Sequence, residues 1–337
     1  MHDATSRATS LQSQAAAAQS LPGPSNRAPS PSARTAHLGF IGLGQMGRHM
    51  ALNLLKSGAP LTVGARNAGT LAEFRQRGVP ATTRLVDLAQ SDIVFLSLPD
   101  GDAVRSVLFG DQGIAAPGSR VRTVVDTSTI SRNAVLEIAA ELASRGKEYI
   151  DAPVSGMEAR AADGTLTVMC GGDPATYAAV KIYLECLASS VLYMGALGNG
   201  QLAKLINQLL FDINVAALAE ILPMSVKLGL EPDKVAQIVN TGTGRSYASE
   251  FFIPRILDNA FSDGYPMAKA YKDLISAAEI GAGSCIPLPV LHAATTTYQM
   301  ALLRGDGELD KGGMIRIYED LLNVRFRSSA SRELSRS

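Results

Sequence analysis

Residues 42–47 read Gly42-Leu43-Gly44-Gln45-Met46-Gly47, a G-x-G-x-x-G pattern. A β-rich stretch, 37–41, precedes it and a helix-forming stretch, 46–57, follows it. A loop so placed can hold the pyrophosphate of a dinucleotide. Gly42 then permits the tight turn, Gly44 lets the backbone approach the phosphates, and Gly47 lets helix and strand pack closely. The helix N-terminus adds unpaired N–H groups and the positive end of its dipole. About 20 residues on, an Asp or Glu would read a ribose 2′-hydroxyl. The stretch 61–67 carries no acid and ends in Arg66-Asn67. Arg66 can meet a 2′-phosphate, so NADP is expected ahead of NAD. The alternative is that Arg66 lies over the adenine ring and both cofactors bind.

Three further segments carry residues suited to chemistry. Residues 151–157 read Asp-Ala-Pro-Val-Ser-Gly-Met. A Ser155-Gly156 turn after a strand offers a hydroxyl and adjacent N–H groups, which suit a small carboxylate. An ordinary loop fits this segment alone equally well. In 198–210, Lys204 stands among apolar residues on the first turns of a long helix, with Asn207 and Gln208 at i+3 and i+4. A partly buried lysine has a lowered pKa and suits proton transfer; on its own it also fits a snorkelling side chain. Residues 265–274 contain Tyr265, Lys272 and Asp273. Spacing alone makes Lys272 and Asp273 a solvated helical pair.

The elements that must position these groups alternate. Strands are expected at 37–41, 61–63, 93–98, 121–126 and 149–151, with helices at 46–57, 71–77, 102–108 and 132–144. This alternation predicts a Rossmann-type, doubly wound parallel sheet with helices on both faces. A strand at 164–171, a helix at 174–187 and a strand at 190–194 close this half. From about 198 the pattern becomes helical: 201–228, mildly broken at Pro223, then 232–239, 249–257, 271–281, 289–303 and 314–324. The expected organisation is an α/β dinucleotide-binding domain, 37–197, joined by the long helix to an all-α substrate and oligomerisation domain, 198–324. The Ser-, Ala- and Pro-rich stretch 1–36 is expected to be disordered. Its Arg7, Arg27 and Arg34 against Asp3 mildly resemble a transit peptide, although a solvated tail is the preferred reading. Residues 325–337 are expected to fray.

Composition bounds the partners. The chain has 337 residues, with 31 Lys+Arg balancing 31 Asp+Glu. A dedicated nucleic-acid binder would tilt basic, so none is expected. The 46% hydrophobic content supplies a core. Cys170, Cys186 and Cys285 form no C-x-x-C pair; they are expected to be small buried hydrophobes in a reducing, cytoplasmic setting rather than zinc ligands. No uncharged apolar run reaches the ~18 residues of a membrane helix, so no membrane partner is expected.

Taken together, the four segments resemble the β-hydroxyacid dehydrogenase family, whose members include 3-hydroxyisobutyrate dehydrogenase, tartronate semialdehyde reductase and L-threonate dehydrogenase. The resemblance spans about 37–324. It places Leu43, Gln45 and Met46 with the three glycines at the cofactor. Asp126-Thr-Ser128-Thr129 falls near the nicotinamide, and Leu98, Pro99 and Lys272 also fall at cofactor positions. Ser155 and Gly156 match the carboxylate-binding signature, and Lys204 the family's essential lysine. Asn207, Gln208, Tyr265 and Asp273 fall at substrate-binding positions. The family usually has Gly-Gly after the serine and small residues beyond, whereas Met157, Glu158 and Arg160 intrude here and speak against the common C3–C4 substrates. The Asn207-Gln208 pair is similar to the tartronate semialdehyde and threonate branches, and 244–258 to the threonate-type branch.

The resemblance implies an NAD(P)-dependent oxidoreductase moving a hydride between cofactor and a small β-hydroxyacid or its semialdehyde or keto form. Lys204 would exchange the hydroxyl proton, with a cationic lysine and no metal stabilising the developing alkoxide. It also implies a homodimer or homotetramer. An imine reductase-like enzyme is the alternative, although that group usually carries Asp or Tyr in place of this lysine. A non-catalytic NADP-binding protein of the same fold is the other.

Overall fold

The computed structural model describes residues 36–262 and 264–334. The tail read at 1–36 lies, but for Ala36, outside the described residues. Strands β1 (Leu38–Ile41), β2 (Leu61–Gly64), β3 (Ala81–Thr82), β4 (Ile93–Leu96), β5 (Thr123–Asp126) and β6 (Glu148–Asp151) form a parallel sheet in the order β3-β2-β1-β4-β5-β6. Leu38 of β1 stands opposite Leu61 on one side and Ile93 on the other. Helices α1 (Gln45–Leu54), α2 (Ala72–Gln76), α3 (Gly101–Phe109) and α4 (Arg132–Ser144) flank the sheet. Its strands are near-continuous apolar runs because both faces are covered. Phe40, Met50, Phe74 and Phe95 fill one core cluster, and Ile41, Leu96, Leu108 and Ile138 another. Strand order reverses between β1 and β4, where the crevice of such sheets takes its ligand.

The strands read at 164–171 and 190–194 do not extend this sheet. Pro153 has no N–H to give a neighbouring strand, and a second, three-stranded sheet follows it. Its strands are β7 (Val154–Ser155), β8 (Leu166–Cys170) and β9 (Ala188–Tyr193), with β8 in the middle. β7 runs antiparallel to β8, placing Ser155 opposite Thr167. Two helices lie between these strands in sequence, an unforeseen short one, α5 (Met157–Asp163), and α6 (Pro174–Leu184). Asn53 of α1 donates to the Ala161 carbonyl of α5 at 2.7 Å, fixing α5 against the helix that follows the glycine loop.

The helical half is built on α7 (Asn199–Lys227). Around it stand α8 (Pro232–Thr241), α9 (Tyr247–Leu257), α10 (Met267–Gly283), α11 (Pro289–Leu303) and α12 (Ile315–Leu322), with α13 (Ser329–Leu334) at the end. By length and composition α7 could cross a membrane; here it is the spine of a helical core that includes Val215, Leu222, Phe252, Tyr298 and Ile315. Pro223 does not break α7, which continues through it. The stretch expected to fray from Arg325 is tied down at its start. Phe326 is fully buried, its N–H bonds Glu319, and Arg327 pairs with the same carboxylate. Phe326 joins the helical core from beyond α12, a place that apolar patterning of that helix does not reveal. The cysteines divide: Cys170 is buried, Cys186 intermediate and Cys285 exposed. Cys285 ends up outside because it lies in the loop between α10 and α11 at φ +53°.

Candidate active site

Backbone geometry explains the glycine loop. Gly42 has φ +101°, and a Cβ there would stand 2.1 Å from the Ser97 carbonyl oxygen. At Gly47 a Cβ would stand 1.8 Å from the carbonyl oxygen of Gly42. At Gly44 a Cβ would meet nothing within 4 Å, so the outer side of the loop is open. The N-terminus of α1 has no side-chain cap and no acid in its first turn. Its N–H groups are thus available to a phosphate. Ile41 pairs with Gly64 across β1 and β2, so the exposed Arg66 emerges beside this loop. Leu43 is buried in the core and offers the loop only its backbone. The Gln45 side chain is engaged by Glu158 at 2.6 Å.

A cleft of about 680 Å³ opens where the two halves meet. Met46, Leu98, Pro99, Ser128 and Thr129 line it from the Rossmann half, together with Ser155 and Gly156 of the second sheet. Lys204, Asn207, Gln208, Tyr265, Lys272 and Asp273 line it from the helical half. Thus the expected substrate-side residues converge, together with part of the expected cofactor set. Gly42, Gly44 and Arg66 lie beyond the lining of this cleft, along the neighbouring β1–β2 edge.

Lys204 is 9% exposed, and its Nζ donates to Gln208 Oε1 at 3.3 Å. Burial pushes its pKa down to about 8; Asp273 pulls it up, Lys311 pushes it further down, and Asp212 pulls it up. One turn on, Asn207 Nδ2 donates to Ser155 Oγ at 3.3 Å. That bond ties the lysine's helix to the expected carboxylate turn. Burial raises the carboxyl of Asp273, with Lys272, Lys311, Lys204 and a hydrogen bond from Gln208 opposing it. Gln208 therefore stands between Lys204 and Asp273.

The start of α7 is anchored from two directions. Asp151 accepts from Gly198 N at 2.8 Å and Gln201 N at 2.9 Å. Burial pushes its carboxyl up to about 6, with these backbone donors pulling the other way. Gln201 accepts from Ile130 N at 3.2 Å and donates to the Ser128 carbonyl at 2.7 Å. Ser128 Oγ in turn accepts from Leu98 N at 2.8 Å. The cofactor-side segments and the lysine's helix are thus one hydrogen-bonded assembly.

Residues 37–195 match the NAD-binding domain of 6-phosphogluconate dehydrogenase, and residues 198–318 the NAD-binding region of NADP-dependent 3-hydroxyisobutyrate dehydrogenase. The 2-(hydroxymethyl)glutarate dehydrogenase of Eubacterium barkeri is 34% identical over 293 residues, 86% of this chain and 97% of that protein. The chain belongs to the β-hydroxyacid dehydrogenase family. Another member, the 2-hydroxy-3-oxopropionate reductase of Escherichia coli K12, is 34% identical over 289 residues, covering 85% of this chain and 98% of that protein. The solved 3-hydroxyisobutyrate dehydrogenase of Salmonella typhimurium aligns with a TM-score of 0.75 and 30% identity over 84% of this chain and 99% of that one. An imine reductase from Pseudomonas sp. shares the fold alone, at 19% identity and a TM-score of 0.52. As a member of this family the protein is an NAD(P)-dependent oxidoreductase of hydroxyacids.

Several lining residues of this dehydrogenase escaped sequence reasoning. Lys311, on the 3-10 turn Lys311–Met314, lines the cleft and pairs with Asp212 of α7. The available signal was Asp212 itself, an acid in an apolar helix eight residues, about two turns, after Lys204. Tyr247, Phe251 and Phe211 add an aromatic wall; no spacing marks them as cleft residues rather than core. Arg160, noted only as a departure from the family pattern, also lines the cleft.

Proposed function

We propose that the protein transfers a hydride reversibly between NADP and a small β-hydroxyacid, with Lys204 as the acid–base group. The observation that carries this reading is the buried Lys204, set between the Ser155–Asn207 bond and Asp273 on the wall of the cleft. The bound nicotinamide supplies the hydride acceptor or donor. Ser155 Oγ and the Gly156 N–H hold the substrate carboxylate. Lys204 takes the hydroxyl proton during oxidation and returns it to the carbonyl oxygen during reduction. With its pKa brought down to about 8 it can do both. Asn207 and Gln208 orient the reacting oxygen, and Asp273 balances the charge when Lys204 is protonated. The sequence relatives carry names of small hydroxy- or oxo-acids, among them 2-(hydroxymethyl)glutarate, 2-hydroxy-3-oxopropionate and 3-hydroxyisobutyrate, which supports this substrate class.

Lys204→Ala tests the assignment. It is expected to lower kcat at least ~10²-fold, the usual size of a lost acid–base group, with cofactor binding retained. Near-normal turnover removes Lys204 from the role. NADP is preferred because Arg66 stands exposed at the end of β2, where an acid would select NAD. A clear preference for NADH over NADPH in KM overturns that choice. A cyclic-imine substrate turned over faster than any hydroxyacid would favour the imine reductase reading instead.

We also propose a homo-oligomer formed through α7. Ile206, Leu210, Ala217, Ile221, Met224 and Leu228 are exposed along it, with the half-buried Ile213 between them. Their spacing of three and four residues makes one apolar stripe down the helix, the pattern that seeks a second helix.

A further inference from the structure

Met157 has φ +61°, in the left-handed region that residues with a side chain seldom enter. It follows Gly156 at φ +141°, so the chain reverses sharply in the wall of the cleft. A non-glycine residue in this conformation persists only where its surroundings hold it, and such outliers gather at ligand sites. Here the Met157 side chain reaches across the cleft. Its Sδ accepts from the Tyr247 hydroxyl at 3.3 Å, from the other half of the molecule. Tyr247 does not stand alone. It stacks on Phe251 with ring centroids 6.3 Å apart and tilts against Phe211 at 5.9 Å. Met157, Tyr247, Phe251 and Phe211 all line the same cleft.

We infer that Met157 and Tyr247 form a clasp that sets the largest substituent a substrate can carry on the carbon beside its carboxylate. The location follows from the chain: Met157 is the residue next to the Ser155-Gly156 turn, so what it occludes is the space bordering the bound carboxylate. The chemistry follows from the wall. It is a thioether on a tyrosine that is itself packed against two phenylalanine rings, so the excluded or accepted group is apolar. The flexible, polarizable thioether suits this position. This inference rests on the carboxylate-binding reading of Ser155 and Gly156.

The test is a size series: 3-hydroxypropanoate and its 2-methyl, 2-propyl and 2-benzyl derivatives, oxidised with NADP by the wild type, Met157→Gly and Tyr247→Phe. Wild-type kcat/KM should fall sharply at one member of the series. Met157→Gly should move that limit upward, raising kcat/KM on the first excluded acid at least ~10-fold, the discrimination typical of one or two methylenes in a pocket. It should lower kcat/KM on the smallest acid a few-fold. Tyr247→Phe should shift the limit in the same direction but less. Met157→Gly should melt within ~3 °C of the wild type, because glycine is at ease at this φ. An unchanged size ranking in Met157→Gly, or an equal gain on every acid, overturns the inference. If no member of the series is oxidised, the small β-hydroxyacid substrates of the proposed function fail. The size limit is then read by calorimetry, with propanoate and 2-benzylpropanoate as unreacting probes. There Met157→Gly must favour the larger acid at least ~10-fold relative to wild type, and equal affinities refute the clasp.

Discussion

Asp212 of α7 and Lys311 form an ion pair sealed from solvent, 0% and 1% exposed, two turns along the helix from Lys204. The Lys311 ammonium also lies 4.7 Å over the Phe211 ring. The second oxygen of Asp212 and the Tyr298 hydroxyl are both buried and close enough to perturb each other's titration, yet neither closes a hydrogen bond of normal geometry. A buried pair of this kind is a poor way to gain stability, because desolvation consumes most of the attraction. Its position explains it better. Lys204, Gln208 and Asp212 recur every four residues on α7, so the helix turns one polar stripe toward Asp273 and Lys311. Removing half of the pair leaves a bare charge inside the wall of the cleft.

Lys311→Met should therefore destabilise the protein by about 3–5 kcal/mol at neutral pH, the usual cost of an uncompensated buried charge. The double variant Asp212→Leu with Lys311→Met should recover most of that loss, since apolar residues can occupy the site without a charge. Urea unfolding of the three proteins measures both. A single variant as stable as the wild type contradicts the pairing.

The depressed pKa of Lys204 makes a prediction about stability as well as rate. The ammonium is harder to bury than to leave in water, so its folded-state value is about 8 against an ordinary 10.5. Below pH 8 both folded and unfolded chains are protonated, and the folded state bears the whole cost, on the order of 3 kcal/mol. Between about 8 and 10.5 the folded chain has released the proton and the unfolded chain has not, so wild-type stability rises with pH across that window. Lys204→Met should thus be inactive yet more stable than the wild type at pH 7, with the advantage fading as pH climbs to 10.5. Oxidation kcat/KM in the wild type should rise through pH ~8, where Lys204 becomes able to accept a proton. A Lys204→Met protein no more stable than wild type at pH 7 would contradict the burial argument.

Arg160 stands in the cleft wall beside the Ser155-Gly156 turn, which has no charge of its own. Its side chain folds against Gly156, whose Cβ position would stand 2.9 Å from Arg160 Cβ, and its guanidinium donates to the Thr165 carbonyl. The nearest acid in sequence, Glu158, is turned toward Gln45 and His49. Among the described residues Arg160 has no acidic partner. Arg160→Met should raise KM for a hydroxyacid ~10–100-fold, the worth of a charge-assisted hydrogen bond, and leave kcat within a few-fold. The methyl ester of the same acid should show little change. An equal loss on acid and ester points to a packing role instead.

The sheet and the glycine loop were legible in the sequence because local rules dictate them. Gly42 and Gly47 stand where backbone atoms leave no room for a Cβ, and β1, β4 and β5 are short apolar runs bounded by turns. Helical spacing put Lys204, Asn207 and Gln208 on one face and left a snorkelling lysine open; the family resemblance singled out Lys204, and Ser155 and Asp273 became neighbours of that face only through tertiary packing. The second sheet was less legible. A two-residue strand such as β7 has too little pattern to announce itself, and its pairing with β8 depends on where Pro153 ends β6. Asp212 showed only as an acid in an apolar helix, and its partner Lys311 lies 99 residues away, so the pair could not be read from either residue alone. In the sequence Met157 shows only as a departure from the family pattern. Its backbone angle and its contact with Tyr247 turn the oddity into a structural role.

The stripe on α7 leads to the last prediction. A helix of 29 residues is about 43 Å long, and this one leaves Ile221 and Met224 in its C-terminal half, and Leu228 just past its end, more than 40% exposed. Those side chains repeat with coiled-coil spacing, so a second copy of the helix can cover them. Charge placed there should be costly in the assembly and nearly free in the monomer, because both positions face water when the chain is alone. Ile221→Lys with Met224→Lys should convert a wild-type dimer or tetramer to monomer in sedimentation velocity at micromolar concentration, with the circular dichroism spectrum retained. Leu210 belongs to the same stripe and also lines the cleft, so the monomer should lose activity as well as mass. A wild type that sediments only as monomer, or a double lysine variant that stays assembled, excludes α7 as the contact.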